Sequence, residues 1–312
     1  MASPKAKGLF HRAIAESSPA TSVYGPERTA QIAGAYLDLM GIKHAEAKTK
    51  LRELTAEELA SKTTDHLDYV ATTWPGLVAF APAIDGDIIT DYPVNIFRAG
   101  KQMRIPLIIG TNKDEAALFK LMKSPLMPIT GESLHKMFDA VATESPSFAD
   151  AEARITAAYP GYPKQAACMK VSRDAGFRMP CTWVAAAHSK VAPTWMYRFD
   201  QAPPLFRIMG IGASHGTELP YVFGTLPAKV TRKNPGFLLG GLRTAHVISK
   251  RMQARWAAFG RTGSPACDSA PEWPNYDTDA RATLLINASD SIADDPDGTV
   301  RKAWGEDILG FK

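Results

Sequence analysis

Two residues of this sequence, Glu115 and His215, have the types and settings of a catalytic acid and base. Glu115 ends the stretch Gly-Thr-Asn-Lys-Asp-Glu, directly after an apolar run, and His215 lies between Gly212 and Gly216. In a hydrolase triad, a histidine takes the proton of the nucleophile, and a carboxylate fixes the histidine tautomer and stabilises the imidazolium. The glycines would allow the histidine loop to bend back over a sheet end. The pattern therefore points to acid–base chemistry of this kind.

Each of the two residues follows a segment that is typical of a buried strand. Residues 105–109, IPLII, form a β-branched apolar run closed by Gly110, as expected of a strand covered on both faces. Residues 194–199, TWMYRF, form the second such segment. In an open α/β sheet, functional groups gather in the loops beyond the carboxyl ends of the strands. We therefore expect Glu115 and His215 to meet at one edge of the sheet.

The remaining chain alternates between predicted helices and short strands. A capping box of Thr55 and Glu58 opens one short helix, and Gly41 is placed to end another. Only three or four strands are visible, which is few for so many helices, but the alternation indicates an α/β fold. The predicted elements are a strand within 10–17, a helix at 26–40, irregular chain at 73–100, mostly helix at 130–190, a long helix at 242–260 and a strand at 283–286.

Composition and charge exclude several classes of protein. The chain has 312 residues, 45% hydrophobic and 22% charged, which is typical of a globular protein. The net charge of +4 comes from basic residues spread along the chain, with no long run of like charges, so no nucleic-acid partner is expected. No apolar run approaches the length of a membrane span. Composition and charge thus favour an ordinary globular protein.

Metal and cofactor sites are not expected from the cysteines and histidines. Cys168, Cys181 and Cys267 have no C-x-x-C spacing, so they read as reduced thiols, although one pair could bridge in an exported protein. None of the other histidines shows a partner at ligand spacing, and we therefore expect neither a metal nor a cofactor. His246 lies on the predicted long helix, and the others are His11, His44, His66, His135 and His188.

Several segments resemble the type-B carboxylesterase and cholinesterase family. Residues 105–119, IPLIIGTNKDEAALF, resemble its acid-bearing segment, and residues 212–224, GASHGTELPYVFG, resemble its histidine loop. Three further segments, 3–17, 80–100 and 273–296, resemble other parts of the family in family order. The resemblance implies one α/β-hydrolase domain over residues 1–312, which would be incomplete because the N-terminal strands of the sheet are missing. It assigns Glu115 as triad acid and His215 as triad base.

The resemblance also implies where the nucleophile should lie. The family carries its serine in a Gly-Glu-Ser-Ala-Gly elbow, upstream of the part that residues 3–17 resemble, hence before Met1, together with the oxyanion-hole glycines. Ser214 matches G-x-S-x-G literally, but Pro220 soon follows and the serine would come after the acid, against the chain order of this fold. Ser133 is better explained as part of a helix start. One departure from the family is Ala116, where it usually has glycine.

The function implied by the resemblance is carboxylic-ester hydrolysis by a Ser-His-Glu triad. This chain would supply the acid and base but not the serine, so the isolated chain is expected to be inactive and poorly soluble. Its partners would be a small-molecule ester and a separate N-terminal chain that completes the domain. The alternatives are an inactive cholinesterase-like binding or scaffold protein and the product of a truncated or split gene. The start of the chain has no signal peptide; any export signal would precede Met1, which leaves localisation open.

Overall fold

A computed structural model describes residues 1–232, 235–268, 270–306 and 308–311. Its described residues form a five-stranded sheet in the order β1-β2-β3-β4-β5. The first four strands are parallel and the last pair is antiparallel. The strands are β1 Ala13–Glu16, β2 Leu107–Asn112, β3 Thr194–Phe199, β4 Ala282–Ile286 and β5 Ser291–Asp294.

Helices fill the connections between the parallel strands. The longest described helix is amphipathic and begins beside two glycines with positive φ, Gly240 and Gly241. None of the described helices combines the length and the apolar character that a membrane crossing requires. The helices are α1 Pro26–Leu39, α2 Ala47–Glu53, α3 Ala56–Ala60, α4 Thr63–Thr73, α5 Pro93–Arg98, α6 Ala117–Leu121, α7 Gly131–Glu144, α8 Ala151–Thr156, α9 Gln165–Arg173, α10 Met179–His188, α11 Pro204–Ile208, α12 Leu219–Val222, α13 Leu242–Thr262 and α14 Gly298–Trp304.

Helices cover both faces of the sheet, as a parallel sheet requires. Side chains alternate along β2, so that Ile108 packs with α13 residues such as Met252, in one core cluster. Its neighbours Leu107 and Ile109 pack in a second cluster with Val184 of α10. A third core lies among the helices α4, α7, α8 and α9. The two sheet cores hold β2 and β3 rigidly, and these strands precede the two predicted site residues.

Most predicted elements agree with the structure. The predictions for β3, α1, the capping box at Thr55 and the long helix are confirmed, the helix extending to Thr262. The prediction of irregular chain at 73–100 was wrong in part, because α5 begins at Pro93. Strand β5 was not predicted, since its residues are mostly exposed and show no apolar pattern.

Gly110 does not close strand β2, as the sequence suggested, but lies inside it. Its lack of a side chain is required by β3: a Cβ at Gly110 would lie 2.3 Å from a ring atom of Tyr197 and 2.4 Å from the Tyr197 carbonyl oxygen. A glycine inside a strand often marks such a close approach. Tyr197 is fully buried, so neither its ring nor the strand backbone has room to move.

We predict that Gly110→Ala lowers the free energy of unfolding by at least about 2 kcal/mol, because the added methyl overpacks a rigid core. Gly260→Ala is the matched control: this glycine lies in α13 with nothing near its missing Cβ. It should stabilise the protein by about 0.5–1 kcal/mol through helix propensity. Urea denaturation measures both changes, and equal effects of the two substitutions would contradict the packing argument.

Candidate active site

The carboxyl ends of β1, β2 and β3 lie side by side and bring three polar segments together. Ser17 follows β1, Glu115 follows β2, and the loop that carries His215 follows β3 and α11. Ser17 adopts a positive φ of 54°, which turns its side chain toward the neighbouring strand end. The two residues predicted from the sequence, Glu115 and His215, are thus brought into direct contact.

The carboxylate of Glu115 is fully buried and receives three hydrogen bonds. Its Oε1 accepts from the Ser17 hydroxyl at 2.6 Å and from the backbone N–H of Asn112 at 2.6 Å. Its Oε2 accepts from Nδ1 of His215 at 2.7 Å. A buried carboxylate requires such donors, because an unpaired one would be strongly destabilising. The same bonds fix the orientation of the carboxylate toward the imidazole.

The His215 ring is oriented by contacts on its face as well as by Glu115. It stacks on Phe177 with ring centroids 4.6 Å apart and lies 6.0 Å from the ring of Phe119. Its side chain is 38% exposed. Because Nδ1 donates to Glu115, the neutral ring carries its lone pair on Nε2, the tautomer that a general base needs.

The pKa of His215 lies above its ordinary value. Burial acts to lower this pKa, but the hydrogen bond to Glu115 and the charge of Glu115, together with that of Glu218, outweigh burial. The pKa of Glu218 is also raised, chiefly by its own burial, with the charge of Glu115 contributing. The surroundings of His215 therefore favour the protonated imidazole, the species that forms when a nucleophile gives its proton to the histidine.

The two loops that carry Glu115 and His215 are joined by hydrogen bonds between Asp114 and Ala213. The N–H of Asp114 donates to the Ala213 carbonyl at 2.8 Å, and the Ala213 N–H donates to the Asp114 carboxylate at 3.1 Å. Gly212 makes this approach possible, because a Cβ there would lie 2.1 Å from the same carboxylate, and its φ is +59°. Gly212, predicted to let the histidine loop bend, is thus also needed for the close contact between this loop and Asp114.

Neither internal serine weighed as a nucleophile is placed for that role. Ser214 is fully buried, and its hydroxyl accepts from the Leu118 N–H at 2.8 Å and contacts the Glu115 carbonyl, so it ties the two loops together. Ser133 lies in the first turn of α7, where it forms a capping box with Thr130. The preference for a helix start at Ser133 is confirmed.

Sequence reasoning missed three residues that complete the site. Ser17 and the backbone of Asn112 hold Glu115, and the Asn112 side chain donates to the Ser214 carbonyl at 2.9 Å and to the carboxylate of Glu218. Glu218 is buried and follows His215 by three residues. All three are polar residues at or after a strand end, which is the signal that could have identified them. Ala116, the departure from the family pattern, is buried in an ordinary right-handed conformation that alanine accepts.

The other histidines have structural surroundings. The Nε2–H of His246 donates to the Pro227 carbonyl, and His188 is buried between Gln102 and the Ile105 carbonyl. His135 does have partners that the spacing argument missed: Nδ1 lies 2.7 Å from Glu152 and Nε2 lies 3.3 Å from Asp139. Each nitrogen faces a different carboxylate, so the ring forms an ion-paired bridge between α7 and α8. Cys168 and Cys181 are buried free thiols.

Comparisons with known proteins agree on one family. A family model described as "Carboxylesterase family" matches residues 1–304. The para-nitrobenzyl esterase of Bacillus subtilis is 31% identical over 305 residues, and carboxylesterase 4A of Bos taurus is 26% identical over 306 residues. These alignments cover 97% and 91% of this chain, but only 58% and 54% of the two relatives. The chain therefore spans little more than half the length of these relatives.

Solved structures give the same result for the fold. The structure of a PNB esterase superposes with a TM-score of 0.77 at 29% identity, covering 97% of this chain and 59% of that chain. A carboxylesterase of Geobacillus stearothermophilus superposes with a TM-score of 0.71 at 28% identity, covering 97% of this chain and 60% of that chain. The predicted class, an α/β-hydrolase sheet with helical insertions, is confirmed.

We predict that the pKa of His215, followed by NMR of the ring protons, lies above about 6.5, the ordinary histidine value. Glu115→Gln should lower it by removing the charge and weakening the hydrogen bond. Because the folded pKa is raised, this group stabilises the fold below about pH 6.5 and its contribution is lost as pH rises through the folded pKa. His135, whose pKa is raised by Glu152 and Asp139, is the internal reference. An unchanged His215 pKa in the variant would contradict the pairing.

Proposed function

We propose, because this chain belongs to the carboxylesterase family, that Glu115 and His215 serve as the acid and base of a Ser-His-Glu triad that hydrolyses carboxylic esters. The observation that carries the proposal is the 2.7 Å contact between His215 Nδ1 and a buried carboxylate. That contact leaves Nε2 free of the carboxylate and able to take a proton. The serine would come from a segment outside these 312 residues.

In the proposed reaction, Nε2 of His215 accepts the proton of the serine hydroxyl while the serine oxygen bonds to the ester carbonyl carbon. The imidazolium then gives that proton to the leaving alcohol as the ester C–O bond breaks. A water molecule attacks the acyl-enzyme with the same proton transfers and releases the carboxylic acid. Glu115 keeps its charge throughout and stabilises each imidazolium.

Two observations support a serine from outside the chain. Among the described residues, no serine hydroxyl bonds to the His215 imidazole, and Ser17 directs its hydroxyl to Glu115. In addition, β1 pairs only with β2 in the part of the chain that the structure describes, and Ile14 on this strand is 39% exposed. A further strand could pair at this edge. The longer relatives have the sequence length to supply both the strand and the serine.

An apolar cavity beside His215 supports the proposal that the substrate ester carries a hydrophobic group. The cavity has a volume of about 130 Å³, and Phe177, which stacks on His215, is part of its wall. Met127, Met137 and Trp304 are among the other lining residues. Ligand sites of this kind are mostly apolar, with a few polar groups at one end. A small acyl or alcohol group could occupy the cavity while its ester carbonyl lies near the imidazole.

A chimera tests the proposal. The part of the Bacillus subtilis para-nitrobenzyl esterase that precedes the aligned region would be joined to this chain, and p-nitrophenyl butyrate hydrolysis would be measured. We expect no turnover by the 312-residue chain alone and measurable turnover by the chimera. His215→Ala in the chimera should lower kcat by about 10³-fold or more, because triad members act as a unit.

The control substitution is His246→Ala, which removes a histidine that contacts the Pro227 carbonyl and should leave kcat nearly unchanged. Labelling with a fluorophosphonate probe gives a second readout, since it reports an activated serine without turnover. Turnover by the isolated chain that His215→Ala abolishes would show that the nucleophile lies within these residues and would refute the proposal. A folded chimera that neither turns over nor labels would favour a binding or scaffold role.

A further inference from the structure

An open pocket lies outside the apolar cavity, against the loops that carry Glu115 and His215. Its volume is about 480 Å³. One wall is α9, where Ala166, Met169, Lys170 and Arg173 recur at helical spacing and face the pocket together. The other walls come from residues 113–120, from Arg207, and from the glycines before the histidine.

The lining of this pocket is strongly basic. Five of its residues are lysine or arginine, and the acidic residue among them is Asp114. These cations come from three separate parts of the chain, so no run of like charges marks them in the sequence. They are Lys113, Lys120, Lys170, Arg173 and Arg207.

The protein itself neutralises only part of this positive charge. Arg173 is paired with Asp174 at 2.7 Å, and Lys113 approaches Asp200 only at 4.0 Å. Among the described residues, Lys120 and Lys170 have no carboxylate within ion-pair distance. The carboxylate of Asp114 accepts the Ala213 N–H. Gathering like charges without partners costs free energy, which an anionic ligand would offset.

We propose that this pocket binds a small organic polyanion through its phosphate or carboxylate groups. The ammonium groups of Lys120 and Lys170 would make the direct contacts, with Arg207 as a third donor. The volume lies within the range of small-molecule sites. Ala116, Ala117 and Met169 provide an apolar surface for the carbon part of the ligand. This site is separate from the proposed ester chemistry and does not depend on it.

Occupancy of the pocket would act on the loops of the acid–base pair. Asp114 lies between Lys113, which lines the pocket, and Glu115 in the chain. Gly212 lies against the Asp114 carboxylate. A polyanion held by Lys120 on α6, just after the Glu115 loop, and by Arg207 on α11, just before the His215 loop, would bridge the two loops. We therefore expect binding to raise the melting temperature and to shift the NMR signals of His215.

Titration calorimetry on the 312-residue chain tests the site, with pyrophosphate and citrate as probes and sodium chloride at matched ionic strength as the blank. We expect saturable binding of one probe molecule per chain. The double substitution Lys120→Ala/Lys170→Ala should raise Kd by about 10- to 100-fold, because two charge-assisted contacts are removed. A preference for pyrophosphate would identify phosphate ligands, and a preference for citrate would identify carboxylates.

The matched control is Lys48→Ala/Lys250→Ala, which removes two exposed helical lysines outside the pocket. It should leave Kd within about twofold. Circular dichroism would verify that both double variants fold as the parent does. Binding that the control weakens as much as the pocket variant would show nonspecific attraction and would overturn the proposal. Heat no greater than the chloride blank for both probes would overturn it as well.

Discussion

The buried carboxylate of Glu115 is the constraint on which the arrangement at the sheet edge depends. Leaving a carboxylate unpaired at this depth would be strongly destabilising, so each of its donors is fixed. Those donors come from three strand ends: Ser17 after β1, Asn112 on β2 and His215 after β3. The parallel register of the strands supplies all three at once. Stability and the orientation of the histidine therefore have the same cause.

Among the serines of this chain, a match to a nucleophile motif does not predict where the hydroxyl lies. Ser214 fits a nucleophile motif but lies buried with its hydroxyl bonded to backbone groups of the acid loop. Ser17 directly follows strand β1 and has a positive φ, yet its hydroxyl donates to Glu115. A hydroxyl that donates to Glu115 cannot at the same time donate to the far nitrogen of the histidine. Geometry, and not the local sequence, decides which serine can react.

Buried apolar strands and strand-end chemistry could be predicted from the sequence, because both leave local patterns. Residues 194–199 are recognisable as a strand, and Glu115 and His215 stand out after their strands. Contacts between distant segments leave no such pattern. The need for glycine at Gly110 arises from Tyr197 on another strand, and the ring of His215 is stacked on Phe177 from the helical region. The exposed strand β5 also has no apolar alternation to reveal it.

The same reasoning explains why the basic pocket beside Glu115 and His215 could not be predicted from the sequence, which contains no run of like charges there. Its cations are contributed by elements that the sheet brings together, and only the folded chain places them side by side. Asp114 is the lining carboxylate, and its oxygen also accepts the Ala213 N–H that holds the histidine loop in place. The pocket keeps an excess of positive charge because five of its lining residues are lysine or arginine and Asp114 offsets one of them.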